Sequence, residues 1–186
     1  MNTYRLATLL LLGAISAPRL AAQASVPTVV IIIRHAEKDS VPAANPPLTP
    51  AGRARAQALI PALADANLQA VIATPLLRSQ ETARPIATAR ALPVETIQRG
   101  ADLSAHVRAV ADAVRRHRGQ TVLVVGHGET VGPIIAALGG PPIADLCAAE
   151  YSNLFTLVID STAVRLVRAL YGAPSGGPGD CQPMRR

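Results

Sequence analysis

The chain has 186 residues, 49% of them hydrophobic, which is enough to bury the core of one domain and short for two. Aromatic residues make up only 2%, so the core has to be built from Val, Leu, Ile and Ala, and rings are too few to stack along a single-stranded nucleic acid. The net charge of +6 comes almost wholly from arginines interleaved with acids, which describes a solvated surface rather than a nucleic-acid-binding stripe.

Met1 to Arg5 is a short basic start, Leu6 to Ala17 is apolar, and Ala22-Gln23-Ala24 closes a small-residue stretch. That is the three-part pattern of a secretory signal, with cleavage expected after Ala24. The apolar run falls short of the ~20 residues that cross a bilayer. A periplasmic or secreted domain is therefore expected, with no stable membrane insertion after signal removal. Cys147 and Cys181 fit a structural disulfide in such an oxidising compartment. It would staple down a Gly- and Pro-rich tail over residues 172–186 that shows no other attachment. Neither cysteine has the His or cationic neighbour that would activate a thiol.

Val26 to Ile33 is a continuous β-branched run, the pattern of a strand buried on both faces. A polar, Pro-rich loop follows from Ala36 to Pro47. Thr49-Pro50 then supplies an N-cap and a first-turn proline for a helix reaching about Ala66, with Pro61 as the place for a kink. Ala70 to Ala73 is a second strand, and Thr74-Pro75 repeats the cap signal for a helix to about Ala91. Val94 to Ile97 is a third strand, Leu103 to His117 a helix, and Thr121 to Val125 the clearest strand, closed by Gly126. Arg115, Arg116 and Arg118, the one basic cluster, sit at a helix end where cations suit the macrodipole. A helix from Thr130 to Leu138 comes next. Leu154 to Asp160 and Val164 to Leu170 alternate like a hairpin turning at Ser161-Thr162. The order predicts an α/β three-layer sandwich with a mostly parallel central sheet over residues 25–171.

Four groups capable of chemistry fall just after strands. Arg34-His35 follows the first, Arg78 lies a turn into the helix after the second, Asp102 follows the third and His127 the fourth. Open α/β sheets bind ligands outside the carboxyl ends of their strands, so one rim should gather all of them. Taken singly, each has a plain structural use. Either His could be a hydrogen-bonded turn residue, Arg78 a solvated helix residue, and Asp102 an N-cap. Two His and two Arg at strand ends make little sense as a purely structural choice.

Three segments carry a family resemblance: Arg34-His35-Ala36-Glu37-Lys38, Thr74-Pro75-Leu76-Leu77-Arg78-Ser79-Gln80-Glu81-Thr82-Ala83, and Val125-Gly126-His127-Gly128-Glu129-Thr130. With Leu48-Thr49-Pro50-Ala51-Gly52, and from about Val29 to Leu170, the chain resembles the histidine phosphatase superfamily. That group is typified by cofactor-dependent phosphoglycerate mutase and small phosphohistidine phosphatases. Ala36 stands where the family usually has Gly, as in some small members. The resemblance implies a phosphoglycerate mutase-like fold and hydrolysis of phosphomonoesters through a phosphohistidine on His35. Arg34, Arg78 and His127, the last if protonated, would surround the phosphoryl oxygens. Asp102 falls about where the family's proton donor should be, with Glu95 as the alternative.

No metal or cofactor is expected. The stretch from Asp102 to His127 leaves no room for the long insertion of the mutases, so an open pocket is expected for a phosphorylated small molecule or an exposed phosphate group. Two rivals remain. One is a metal-dependent hydrolase using His35-Ala36-Glu37 and His127-Gly128-Glu129. The other is a non-catalytic anion-binding domain that keeps the Arg and His residues without a working acid.

Overall fold

A computed structural model describes residues 26–176. The expected leader over residues 1–24, Cys181 and most of the tail lie outside the described residues. Ten elements follow one another: β1 (Thr28–Arg34), α1 (Pro50–Ala62), β2 (Leu68–Ala73), α2 (Leu77–Ala89), β3 (Val94–Thr96), α3 (Leu103–Arg116), β4 (Thr121–Gly126), α4 (Gly128–Ala137), β5 (Asn153–Ile159) and β6 (Val164–Leu170).

The strands form one sheet in the order β3-β2-β4-β1-β5-β6. The first four are parallel, β5 runs antiparallel to β1, and β6 antiparallel to β5. Alternation along β1 builds both layers at once. Val30 and Ile32 pack with α3 and α4 residues such as Val110, Val114, Ile134 and Ile135. Ile31 and Ile33 pack on the other face with Leu59 of α1, Leu63 at its C-cap and Ile86 of α2. A strand buried on both sides has to be apolar at every position, which is why its sequence reads as an unbroken run. In β2 a register shift between Leu68 and Ala70 lets these two residues serve opposite layers.

The cap expected at Thr49 is present: its hydroxyl oxygen accepts from Gly52 N at 3.1 Å, with Pro50 first in the helix. The matching signal at Thr74-Pro75 misleads. Helix α2 begins only at Leu77, its N-cap is Leu76, and no side chain caps it. Thr74 turns its hydroxyl elsewhere. The described start of the tail has an attachment that the sequence did not show, because Ser175 Oγ accepts from the backbone N–H groups of Tyr151 and Ser152, each at 2.8 Å. Among the described residues no helix is long and apolar enough to cross a membrane.

Candidate active site

Strand pairing explains how distant residues meet. Arg34, the last residue of β1, is paired with Gly126, the last of β4, and His35 N extends the ladder by donating to Gly126 O at 2.9 Å. The next residue on each strand is a histidine, so the rings of His35 and His127 come to 5.4 Å between centroids. On the other side of β4, Ala73 pairs with Val125. Thr74 thereby lies beside His127, with Oγ1 3.2 Å from Nε2.

The His35 ring has one possible tautomer here. Its Nδ1 lies 2.8 Å from Ala36 O, and a carbonyl can only accept, so Nδ1 carries the proton and Nε2 keeps a lone pair. Burial holds the ring well below its usual proton affinity; the bond to Ala36 opposes this, and His127, Arg34 and Arg78 reinforce it. His127 is 1% exposed. Burial pushes its pKa down to about 3, against the opposing field of Glu129 and with the help of Arg78, Arg99 and His106. The expected third cation is therefore a neutral ring in the protein alone. Thr74 Oγ1 donates to Ser79 Oγ at 3.0 Å and so accepts from His127 Nε2–H. His127 Nδ1 is left buried with no partner among the described residues.

This neutrality has a thermodynamic consequence. A buried imidazole that resists protonation binds fewer protons than in the unfolded chain, where its pKa is near 6.5. Its stabilising share is complete above that value and drains away as the pH falls from there towards about 3. The midpoint of thermal unfolding is expected to begin falling below pH 6.5, before the carboxylates titrate, and His127→Gln should weaken that early decline. A midpoint that is flat until the carboxylates titrate would contradict the assignment.

Arg34 is buried and held by the chain between α4 and β5. Its Nη1 donates to the carbonyls of Cys147 (2.8 Å), Ala148 (2.9 Å) and Glu150 (3.2 Å), and its guanidinium carbon lies 4.1 Å from the Tyr151 ring centroid. Burial lowers its pKa from the usual value, which Tyr151 and Glu129 oppose; an arginine remains charged regardless. Arg78, in the first turn of α2, is half-buried. Its Nε is shielded without a partner among the described residues, and its charge acts on both His35 and His127. The charges of Arg34 and Arg78 bear on the neutral ring of His35, and that of Arg78 on His127, so the four residues form one cluster whose positive charge comes from the arginines.

The two acids expected from sequence are differently placed. The exposed Asp102 carboxylate caps α3, accepting from Ser104 N (2.8 Å) and Ala105 N (3.1 Å), and among the described residues no hydrogen bond or ion pair joins it to the cluster. Glu95 faces the far end of α3, paired with Arg116 and with His117 at 3.2 Å. Sequence reasoning passed over Tyr151 and Arg99, took Thr74 only as a helix cap and weighed Glu129 only as a metal ligand. Arg99 Nη2 donates to Glu129 Oε1 at 2.9 Å, and Glu129 acts electrostatically on Arg34, Arg78 and His127. The His127-Gly128-Glu129 run was the available signal, since it opens α4 beside the second His.

Contacts from α1 and α2 fix the His35 loop. Arg55 is buried and forks onto Glu37, with Nε at 3.0 and 2.9 Å from the two carboxylate oxygens and Nη2 at 2.7 Å from Oε1. Arg55 Nη1 donates to Tyr171 O at 3.0 Å. Thr49 N donates to Glu37 O at 2.9 Å, and Thr82 Oγ1 accepts from Ala36 N at 2.9 Å. Bidentate charged pairing of this kind is strong and directional.

The fold is similar to that of solved phosphatases. Against the protein histidine phosphatase SixA complexed with tungstate, 76% of this chain and 96% of that one align at a TM-score of 0.60 and 20% identity. Against the alpha-ribazole phosphatase from Shigella flexneri the values are 78%, 96%, 0.57 and 21%. A stretch of 49 residues is 55% identical to the uncharacterized protein Rv0525 of Mycobacterium tuberculosis, spanning 26% of this chain but only 24% of that relative's length. A family model for the histidine phosphatase superfamily (branch 1) matches residues 30–105, which hold Arg34, His35 and Arg78, and the sheet brings His127 back to them. Over residues 30–105 the chain is similar to the histidine phosphatase superfamily, branch 1.

Proposed function

We propose that the protein hydrolyses phosphomonoesters through a phosphohistidine formed on His35. The observation that carries this reading is the fixed His35 tautomer, with Nδ1 spent on Ala36 O and Nε2 free to attack amid Arg34, Arg78 and His127. Phosphoryl transfer asks little covalent chemistry of a protein, chiefly an in-line nucleophile and fixed positive charge around three equatorial oxygens. The planar forks of Arg34 and Arg78 suit those oxygens. His127 completes the set only once an oxyanion arrives, because a neighbouring negative charge raises the proton affinity of an imidazole. Its unpartnered Nδ1 then becomes a donor to the incoming phosphate. The tungstate complex of the similar SixA is consistent with oxyanion binding in this fold.

Only α3 and β4 lie between Asp102 and His127, leaving no inserted lid, so the substrate class is a phosphorylated small molecule or an exposed phosphate on a larger carrier. Export, with cleavage after Ala24, belongs to the same proposal. So does a Cys147–Cys181 bond, which would brace the loop whose carbonyls hold Arg34. Release of phosphate from a panel of aryl and alkyl phosphomonoesters tests the activity. Turnover that vanadate inhibits with a chelator present is the expected result. Turnover that a chelator alone abolishes would favour a metal-dependent hydrolase, and phosphate binding without turnover an anion-binding domain.

A further inference from the structure

We propose that Glu129 is the carboxyl group that protonates the leaving oxygen and then deprotonates the attacking water, a role that rests on the phosphohistidine reading. Three carboxylates act on the cationic cluster through Arg34: Glu129, Glu150 and Glu37. Two of them are committed. Glu37 is forked by Arg55. Glu150 accepts from Cys147 N at 2.8 Å and faces Arg168 at 3.6 Å. Glu129 alone also acts on Arg78 and His127. It is only partly covered, with 31% of its side chain exposed, and a single arginine contact holds it, from Arg99. It leads α4 immediately after His127-Gly128, so the strand that delivers the second His also delivers this carboxyl.

The charge balance suits the role. Burial alone would raise the Glu129 pKa, but its own backbone N–H, His127 and Arg99 hold it below the usual value, so the group is ionised in the protein alone. The titratable groups that act on it are the cations Arg34, Arg78 and Arg99 and the imidazoles of His106 and His127. A docking phosphate dianion offsets these cations and raises the carboxyl's proton affinity, so Glu129 takes up a proton from solvent as substrate binds. His35 Nε2 then forms its bond to phosphorus while the phosphorus–oxygen ester bond breaks, and the Glu129 proton goes to the leaving alkoxide. In the second half, water gives a proton back to Glu129 as its oxygen bonds to phosphorus. The His35–phosphorus bond breaks, and inorganic phosphate departs.

The test compares wild type, E129Q and E129D on p-nitrophenyl phosphate, whose leaving group needs no proton, and on phosphoserine, whose leaving group does. Steady-state turnover is read together with the fraction of chain trapped as phosphohistidine. E129Q is expected to lose about 100-fold or more in phosphoserine turnover, yet still to acquire a phosphoryl group from the aryl ester and to accumulate it, because hydrolysis lacks its base. E129D, which keeps a retracted carboxyl, should fall between the two. E129Q turnover that falls equally on both esters, or not at all, with no accumulation of phosphoenzyme, would overturn the assignment. So would E129D slower than E129Q on phosphoserine. A wild type that never phosphorylates His35 would instead overturn the phosphohistidine reading itself.

Discussion

Replacing His35 with Ala is expected to abolish turnover, with a loss in kcat of roughly 10⁴-fold or more, because removal of a covalent nucleophile leaves only binding and electrostatics to act. The neighbouring side chains are poorly suited to take over the attack. His127 has one ring nitrogen engaged by Thr74 and stands on the neighbouring strand, while the arginines cannot give up a proton. The fold should survive, since the ring sits at the rim beyond the end of β1 and its one side-chain hydrogen bond runs to the adjacent residue. Oxyanion affinity should also survive in large part, because Arg34 and Arg78 remain. The check is phosphate release together with vanadate or phosphate binding on the same preparation. Lost turnover with retained binding is the expected pair of results.

Gly52→Ala is expected to damage stability and activity together. A Cβ at this position would stand 2.1 Å from Glu37 O, 3.0 Å from its carbonyl carbon and 3.1 Å from its nitrogen. All three are backbone atoms, so no rotamer change relieves the clash, and α1 must retreat from the His35 loop. That retreat strains the Thr49 N to Glu37 O bond and the Arg55 fork on Glu37. Overpacking of this kind costs up to about 3 kcal/mol. The same shift moves Ala36 O, which sets the His35 tautomer, and a displacement of about 1 Å at a reacting group costs on the order of 100-fold in rate. Denaturant unfolding and phosphate release on one variant check both effects. A Gly52→Ala protein as stable and active as wild type would mean that this helix and loop do not meet as described.

Much of the fold was legible because local chemistry and tertiary need coincide. The unbroken apolar run of β1, the Thr49-Pro50 cap and the Gly126 closure of β4 each mean the same thing in isolation as in the sheet. Thr74-Pro75 shows the limit. It carries the same letters as Thr49-Pro50, but the pairing of β2 with β4 sets its hydroxyl beside His127, and the helix starts without it. Asp102 shows another: an N-cap and a proton donor can be the same residue type in the same place, and the letters do not separate the two uses. The neighbouring of His35 and His127 was legible from strand ends, because the pairing of β1 with β4 supplies it. The Arg99–Glu129 pair, the neutrality of His127 and the hold of Ser175 on the tail depend on burial and on contacts between loops, which no periodicity encodes.

The most direct measurement is acid-free quenching of the wild-type protein during turnover, followed by mass spectrometry of the peptide containing Arg34 to Lys38. The account predicts one phosphoryl group on that peptide, on the imidazole of His35, labile in acid and absent from the His35→Ala chain. Rapid phosphate release with that peptide unmodified, and a phosphoryl group on no histidine at all, would contradict it.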